Sequence, residues 1–297
     1  MMDKQPVVVG VDGSKEALDA VRWAAREAIL RSSSLKMLCC VDDDLITLSD
    51  YPIPDRYFNL LRERAHKDLA EASSLALAEV LKAGADIAID TKMLLCEPRV
   101  GLRRLSENAQ LLVLGAHGET HSVPGLLGSV ASAMSAHAEC PVAVIPARSG
   151  AMPETLPNTV VVGVDGSAAS RRAVQMAFEE ADLRGAKLVA IHAWNFSKVH
   201  SVFATDHAKL SWTEARTAEE AVLAESLAGY REQYPDLEVS LQVFNSDPVG
   251  ALRDAASNAC LLVVGSRGRS DFTARLLGST SRAVLHSATS PVLIARP

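Results

Sequence analysis

The feature that most constrains this chain is an internal repeat. Residues 115–118 are Gly-Ala-His-Gly, and nine further residues separate them from Gly128-Ser129. The arrangement recurs 150 positions on, at 265–268 and 278–279. A second block, Val-Val-Val-Gly-Val-Asp-Gly-Ser, begins at Val7 and again, unchanged, at Val160. Identical blocks in the same order at nearly one offset predict a duplicated domain.

The length of 297 residues is also typical of two domains. We assign residues 1–147 to the first and 158–297 to the second. The stretch between them, 148–157, contains Ser, Gly and two Pro and is interpreted as a linker. Hydrophobic residues make up 48% of the chain, which is enough for each half to bury a core.

Apolar runs alternate with segments of helical period in both halves. In the first half we predict strands at 6–11, 35–41, 87–96, 111–114 and 142–145, and helices at 15–30, 55–83, 99–109 and 128–138. In the second half we predict strands at 160–164, 188–194, 237–244, 260–264 and 292–295, and helices at 168–184, 213–234, 249–257 and 278–287. This alternation predicts α/β domains with doubly wound parallel sheets, which bind ligands beyond the carboxyl ends of their strands.

Composition excludes several other classes of protein. The formal net charge of −6 argues against a nucleic-acid partner. No apolar run reaches membrane-spanning length, and the N-terminus leads directly into a strand-like run without a signal peptide, so we expect a cytoplasmic protein without a membrane partner. The five cysteines form no C-x-x-C pair and are expected to be buried, reduced thiols. His117 and His121 lie four apart in a loop, and we predict no metal site there.

The repeated glycine segment lies between a strand and a helix start. Unpaired amides and the positive dipole end of a helix N-terminus suit a phosphate. The alternative is that Ser129 and Ser279 are helix caps and that the glycines serve only turns. Asp12 and Asp165, just after the first strands, either form Asx turns or contact a ribose hydroxyl or a metal ion.

These motifs together resemble the universal stress protein family. The resemblance rests on G-x-x-G, nine residues and G-[S/T], combined with an apolar strand ending in Asp and an order of five strands and four helices. Two copies resemble the tandem members of the family. The resemblance implies open parallel sheets of strand order 3-2-1-4-5, ATP as a ligand, and packing of the two halves as a pseudo-twofold dimer.

The resemblance also assigns binding positions. In the first half they are Gly10, Val11, Asp12, Cys40, Leu114, Gly115, Gly118, Gly128, Ser129 and Val130. In the second half they are Gly163, Val164, Asp165, Ala193, Val264, Gly265, Gly268, Gly278, Ser279 and Thr280. The pair His192-Ala193 is similar to the family pattern, whereas Cys39-Cys40 departs from it.

The two glycine loops differ in charge. The second carries Arg267, Arg269 and Arg275, while the first has His117, Glu119 and His121 at roughly corresponding places. Because opposite charge favours a triphosphate, we include Arg267 among the binding residues and expect the second site to hold ATP more tightly.

The sequence therefore favours an ATP-binding stress or regulatory factor with slow or no hydrolysis. Residues 10–15 miss the Walker A spacing, and no arginine finger or water-positioning Gln can be assigned. Mg²⁺ is expected only alongside the phosphates, since it needs few protein ligands. Two alternatives stay open. One is an adenylate-forming or ATP-hydrolysing enzyme. The other is a protein-interaction module in which the nucleotide is structural and residues 42–54 and 195–211 contact partners. Homodimerisation of whole chains also stays open.

Overall fold

The structure is a computed structural model that describes residues 4–42, 55–118, 126–147, 158–194, 212–268 and 277–296. Backbone contacts divide the chain into two compact units, Met1–Met152 with the terminal Pro297, and Pro153–Arg296. The predicted linker, 148–157, lies outside the described residues, as do 43–54 and 195–211, which hold nearly all of the two predicted partner-contact segments.

Strands and helices alternate through the first unit as predicted. Its elements are β1 (Val7–Gly10), α1 (Lys15–Leu30), β2 (Leu35–Val41), α2 (Asp55–Ala83), β3 (Ile89–Leu95), α3 (Pro98–Ser106), β4 (Leu111–Gly115), α4 (Ser129–His137) and β5 (Val142–Ile145).

The second unit repeats the order of the first. Its elements are β6 (Thr159–Gly163), α5 (Ala168–Arg184), β7 (Lys187–Trp194), α6 (Trp212–Gln233), β8 (Val239–Asn245), α7 (Pro248–Ala256), β9 (Leu261–Gly265), α8 (Ser279–Ser287) and β10 (Val292–Ala295).

Each unit contains a parallel sheet of strand order 3-2-1-4-5. In the first unit β1 lies between β2 and β4, with Val7 opposite both Leu35 and Leu111, and β3 and β5 form the outer strands. In the second unit β6 lies between β7 and β9 in the same way, with β8 and β10 outside them. The order reverses between β1 and β4, and between β6 and β9. These are the switch points at which doubly wound sheets bind ligands.

Helices cover the sheet of each unit. In the first unit α1 packs on α2 and α3 packs on α4, and the side chains of the central strands are almost fully buried. Strands covered on both faces are expected to be continuous apolar runs, as β1 and β4 are. No described helix is long and apolar enough to cross a membrane.

Local sequence signals set most element ends. Ser14 caps α1 by accepting a hydrogen bond from the amide of Ala17 at 3.1 Å, as predicted. Gly84 follows α2 with a φ of +60°, a conformation that glycine adopts without steric cost. The prediction that the third helix reaches residue 109 was wrong. It ends at Ser106, and the amides of Asn108 and Ala109 turn back to Leu105 and Ser106 before β4.

Candidate functional site

A cavity of about 460 Å³ lies at the carboxyl ends of β1, β2 and β4. We call it the first cavity. It is lined by all ten residues predicted for the first half: Gly10, Val11, Asp12, Cys40, Leu114, Gly115, Gly118, Gly128, Ser129 and Val130. The fold therefore brings together positions that are up to 120 residues apart in the chain.

The second unit has a cavity of about 310 Å³ at the matching strand ends, here called the second cavity. It is lined by all eleven residues predicted for the second half: Gly163, Val164, Asp165, Ala193, Val264, Gly265, Arg267, Gly268, Gly278, Ser279 and Thr280. Arg269 and Arg275, and Glu119 and His121 of the first loop, lie outside the described residues.

The aspartate that follows the first strand of each unit forms a turn at the edge of the cavity. Oδ1 of Asp12 accepts hydrogen bonds from the amide and hydroxyl of Ser14, at 3.0 and 2.6 Å. Oδ1 of Asp165 accepts one from the amide of Ser167 at 2.9 Å. These contacts form an Asx turn, which was one of the two roles predicted for the aspartates. The second oxygen, Oδ2, lies beside the second glycine of the loop in each unit, and both aspartates line their cavities.

The two glycines of each G-x-x-G segment are required for different reasons. A Cβ on Gly115 would lie 2.8 Å from the backbone carbon of Glu16 in α1, so the first glycine lets the helix start pack against the strand end. A Cβ on Gly118 would lie 2.7 Å from Oδ2 of Asp12. The second glycine therefore leaves room for the carboxylate, and close backbone approach of this kind is a common use of glycine.

The Gly-Ser pair folds back onto the G-x-x-G segment. The amide of Gly128 donates to the carbonyl of Ala116 at 2.8 Å, and that of Gly278 donates to Ser266 at 2.9 Å. Gly128 and Gly278 are the N-caps of α4 and α8, neither with a side-chain cap. The alternative that the two serines are helix caps was therefore wrong.

The first backbone bond of α4 runs from the amide of Ser132 to the carbonyl of Gly128. The amides of Ser129, Val130 and Ala131 thus precede the helical ladder, and all three residues line the first cavity. In the second unit the amide of Arg282 donates in the same way to the carbonyl of Gly278. Each cavity is faced by a helix N-terminus, which favours an anion.

Sequence analysis missed the contribution of α2 to the first cavity. Tyr57, Leu61, Arg64 and Asp68 all line it. Arg64, whose guanidinium lies 3.9 Å from the Asp68 carboxylate, is a cation that comes from outside the glycine loop. Burial, and after it the nearby Asp12, raise the pKa of Asp68, although Arg64 acts in the opposite direction. No sequence signal marks these residues, because the face that a long helix presents depends on its packing.

Charge differs between the cavities. Among the described lining residues, the first has the carboxylates of Asp12, Asp42 and Asp68 against the guanidinium of Arg64, whereas the second has Asp165 against Arg267. The His117 ring also lines the first cavity, with a buried Nε2 that has no hydrogen-bond partner among the described residues. The described part of the second cavity is therefore the less negative.

The base of the second cavity contains a buried histidine. His192 is 2% exposed, with Nδ1 2.6 Å from the carbonyl of Val164 and Nε2 2.7 Å from Oε2 of Glu219. A carbonyl can only accept, so Nδ1 carries a proton and the ring holds Val164 in place. The matching residue of the first unit is Cys39, which is also buried; burial raises its pKa to about 11, helped by Asp68 and Asp12.

Fold and site together define a class: doubly wound α/β domains with a Gly-rich loop and a helix N-terminus at the topological switch point. The sequence profile of the universal stress protein family matches residues 4–146 and again 157–296. The chain belongs to the universal stress protein family, with two domains in tandem.

Relatives span almost the whole chain. A universal stress protein of Mycobacterium tuberculosis is 37% identical over 290 residues, which cover 98% of this chain and 96% of the relative. One of Mycobacterium bovis is 36% identical over 302 residues, covering 98% and 94%. The crystal structure of a universal stress protein from Archaeoglobus fulgidus superposes with a TM-score of 0.72 over 99% of this chain and 98% of that one. At 20% identity this likeness concerns the fold alone.

Proposed function

We propose that the chain binds ATP in one or both cavities and acts as a nucleotide-dependent stress or regulatory factor in the cytoplasm. One observation carries the proposal: the hydrogen bond from Gly128 to Ala116, repeated by Gly278 and Ser266. In each unit this bond holds a helix N-terminus against the glycine loop and opposite an aspartate carboxylate.

The parts of a nucleotide match the parts of the cavity. Phosphates suit the amides of Ser129 to Ala131, since a helix N-terminus stabilises negative charge. Oδ2 of Asp12 can accept a hydrogen bond from a ribose hydroxyl, and the end of β2 at Cys40 offers backbone groups to a base. Asp165, Ala193 and the amides from Ser279 onward take these roles in the second cavity.

Hydrolysis is expected to be slow or absent. The described residues contain no cluster of three or more His, Cys, Asp or Glu side chains that could hold a metal ion. An Mg²⁺ ion would therefore enter with the phosphates, which supply ligands that it prefers. Its chemistry there would be neutralisation of phosphate charge.

Replacing Ser129 or Ser279 by Glu tests the proposal without weakening the helix. A carboxylate in the first turn favours the helix dipole but repels phosphate at the same amides. Isothermal titration with ATP should show an affinity lower by about tenfold or more at the altered cavity, given the size of charge repulsion at such distances. Ser74→Glu, at an exposed position of α2 outside the cavity lining, is the matched control. Unchanged ATP binding in the Ser129→Glu, Ser279→Glu double variant would contradict phosphate recognition by these helices.

A further inference from the structure

Two thiols of the first unit lie in contact at the end of the sheet. Cys40 is the penultimate residue of β2, and Cys96 directly follows β3. The thiol of Cys96 is oriented to donate to the sulfur of Cys40, at 3.9 Å. The amide of Cys96 also donates to the carbonyl of Val41 at 3.0 Å, which fixes the backbone of the two segments side by side. The sulfurs are thus adjacent because of strand pairing.

Helix α3 packs against the two thiols at a glycine. Gly101 lies inside α3, where a Cβ would be 2.7 Å from the sulfur of Cys40 and 3.0 Å from that of Cys96. Glycine within a helix costs about 1 kcal/mol relative to alanine. Glycine is needed here nonetheless, because the two sulfurs occupy the space that a Cβ would fill.

The second unit shows the same site without sulfur. Ala193 lies at the position of Cys40 in the paired strands, and Ser246 precedes the helix proline as Cys96 does. The residue at the place of Gly101 is Ala251. Sulfur atoms and the glycine gap are therefore present together in one unit and absent together in the other.

We propose that Cys40 and Cys96 are a redox-modification site, closing to a reversible disulfide when the protein meets a peroxide or a low-molecular-weight disulfide. The sulfurs must approach by about 1.9 Å to reach bonding distance, and Gly101 has no side chain that would hold them apart. Both residues are half-buried, so a small oxidant can reach them. Cys40 also lines the first cavity, so the new bond would form in its wall.

With oxidised glutathione, the Cys96 sulfur attacks one glutathione sulfur, the S–S bond breaks, and one glutathione leaves as a thiol. The Cys40 sulfur then attacks the Cys96 sulfur of the mixed disulfide, and the second glutathione leaves as a thiol with the remaining proton.

Hydrogen peroxide oxidises the pair by a different route. The Cys96 sulfur attacks one peroxide oxygen, the O–O bond breaks, and a sulfenic acid and one water result. The Cys40 sulfur then attacks the oxidised sulfur, the S–O bond breaks, and the departing hydroxide takes the Cys40 proton to form a second water. Two sulfurs have lost one electron each and the peroxide has gained two. Burial, and then the proximity of Cys96, raise the pKa of Cys40, so its thiol keeps its proton until it meets the oxidised sulfur.

The other thiols are placed differently. Cys39 is buried beside Asp68, while Cys140 and Cys260 are buried with their sulfurs against the carbonyls of Pro141 and Thr159. Cys40 and Cys96, by contrast, have their sulfurs 3.9 Å apart. Oxidation should therefore be selective.

Peptide mapping of the full chain tests the site. The protein is equilibrated in glutathione buffers of increasing oxidised fraction, alkylated, digested without reduction and analysed by mass spectrometry. We expect a linked pair of peptides, one with Cys96 and one with Cys39-Cys40, lighter by two hydrogens than their sum. Cys39→Ser should keep the link, and Cys40→Ser and Cys96→Ser should each abolish it. Cys140 and Cys260 should be recovered as free thiols.

Three results would overturn the proposal. One is recovery of Cys40 and Cys96 as free thiols in the most oxidising buffer. Another is a link that survives in Cys40→Ser and is lost in Cys39→Ser. The third is linkage only between chains, seen as dimers on non-reducing gels. Circular dichroism of each variant in reducing buffer separates loss of the link from loss of the fold.

Discussion

The amide of Gly128 lies 2.8 Å from the carbonyl oxygen of Ala116, across a loop of eleven residues. Gly278 and Ser266 repeat the contact at 2.9 Å in the second unit. This bond brings the start of α4 to the end of β4, where the carboxylate of Asp12 also lies. The proposed nucleotide site depends on this closure more than on any single side chain.

The two cavities should differ in affinity. The lining of the second is less negative and includes Arg267, so a triphosphate should bind it more tightly. Asp165→Ala or Gly278→Ala should therefore lose more bound nucleotide than Asp12→Ala or Gly128→Ala. Nucleotide content per chain, measured after denaturation, checks this. Equal losses from the paired variants would show that the charge difference has no effect.

The first glycine of the motif should be needed for stability. A Cβ on Gly265 would lie 3.0 Å from the backbone carbon and oxygen of Ala169 in α5, neither of which can move without shifting the helix. Gly265→Ala should lower the free energy of unfolding by about 1–3 kcal/mol, the usual cost of overpacking. Urea denaturation is the measurement.

Gly229→Ala in α6 is the control for that change. Nothing lies within 4 Å of its Cβ, so the substitution should stabilise by about 0.5–1 kcal/mol through helix propensity. If both variants lost stability equally, close packing would not be the reason for Gly265.

The glycine over the thiol pair gives a separate stability prediction. Gly101→Ala should destabilise by about 1–2 kcal/mol, because overpacking against two sulfurs exceeds the gain in helix propensity. In a Cys40→Ala, Cys96→Ser background, which reproduces the second unit, the same change should be neutral or stabilising. Urea denaturation of the four proteins forms a double-mutant cycle. A coupling energy near zero would show that the gap does not serve the sulfurs.

Asp68 should make stability depend on pH. Its raised pKa, due first to burial and then to Asp12, means that the ionised carboxylate is less stable in the folded chain than in the unfolded chain. Asp68→Asn should therefore raise the thermal midpoint at pH 7.5. The gain should shrink as pH falls toward the unfolded pKa of about 4 and vanish below it, where the carboxyl is protonated in both states.

Asp86→Asn, the same change at an exposed position, is the control. A gain from Asp68→Asn that grew on acidification would have the wrong sign for a raised pKa.

The sequence predicted the fold, and it predicted glycine-loop residues that line each cavity, because those features are local. Apolar runs identify β1 and β4, and the repeated spacing identifies Gly115 and Gly128 together with their counterparts. The predicted end of α3 was wrong for a local reason as well. Residues 107–110 have a composition typical of a helix, but the backbone turns there. The expectation of buried thiols is confirmed for Cys39, Cys140 and Cys260, whereas Cys40 and Cys96 are half-buried.

Contacts between distant elements were not predictable. Arg64 and Asp68 reach the first cavity only because α2 packs on α1. His192 meets Glu219 only because α6 packs on α5 and β7 within the second unit. The Cys40–Cys96 contact depends on the register of β2 and β3 across 56 residues. Hydrophobic periodicity predicts that a helix or strand exists, but tertiary packing determines the rotation of the helix and the register of the strand.

Co-purified nucleotide would show directly whether the chain binds ATP. The protein should be purified gently, denatured, and its small-molecule fraction analysed by mass spectrometry, with ATP added back to stripped protein in parallel. We expect ATP or a related adenine nucleotide in the wild-type fraction and less of it in the Ser129→Glu, Ser279→Glu double variant. Absence of any adenine nucleotide, together with no binding of added ATP, would contradict it.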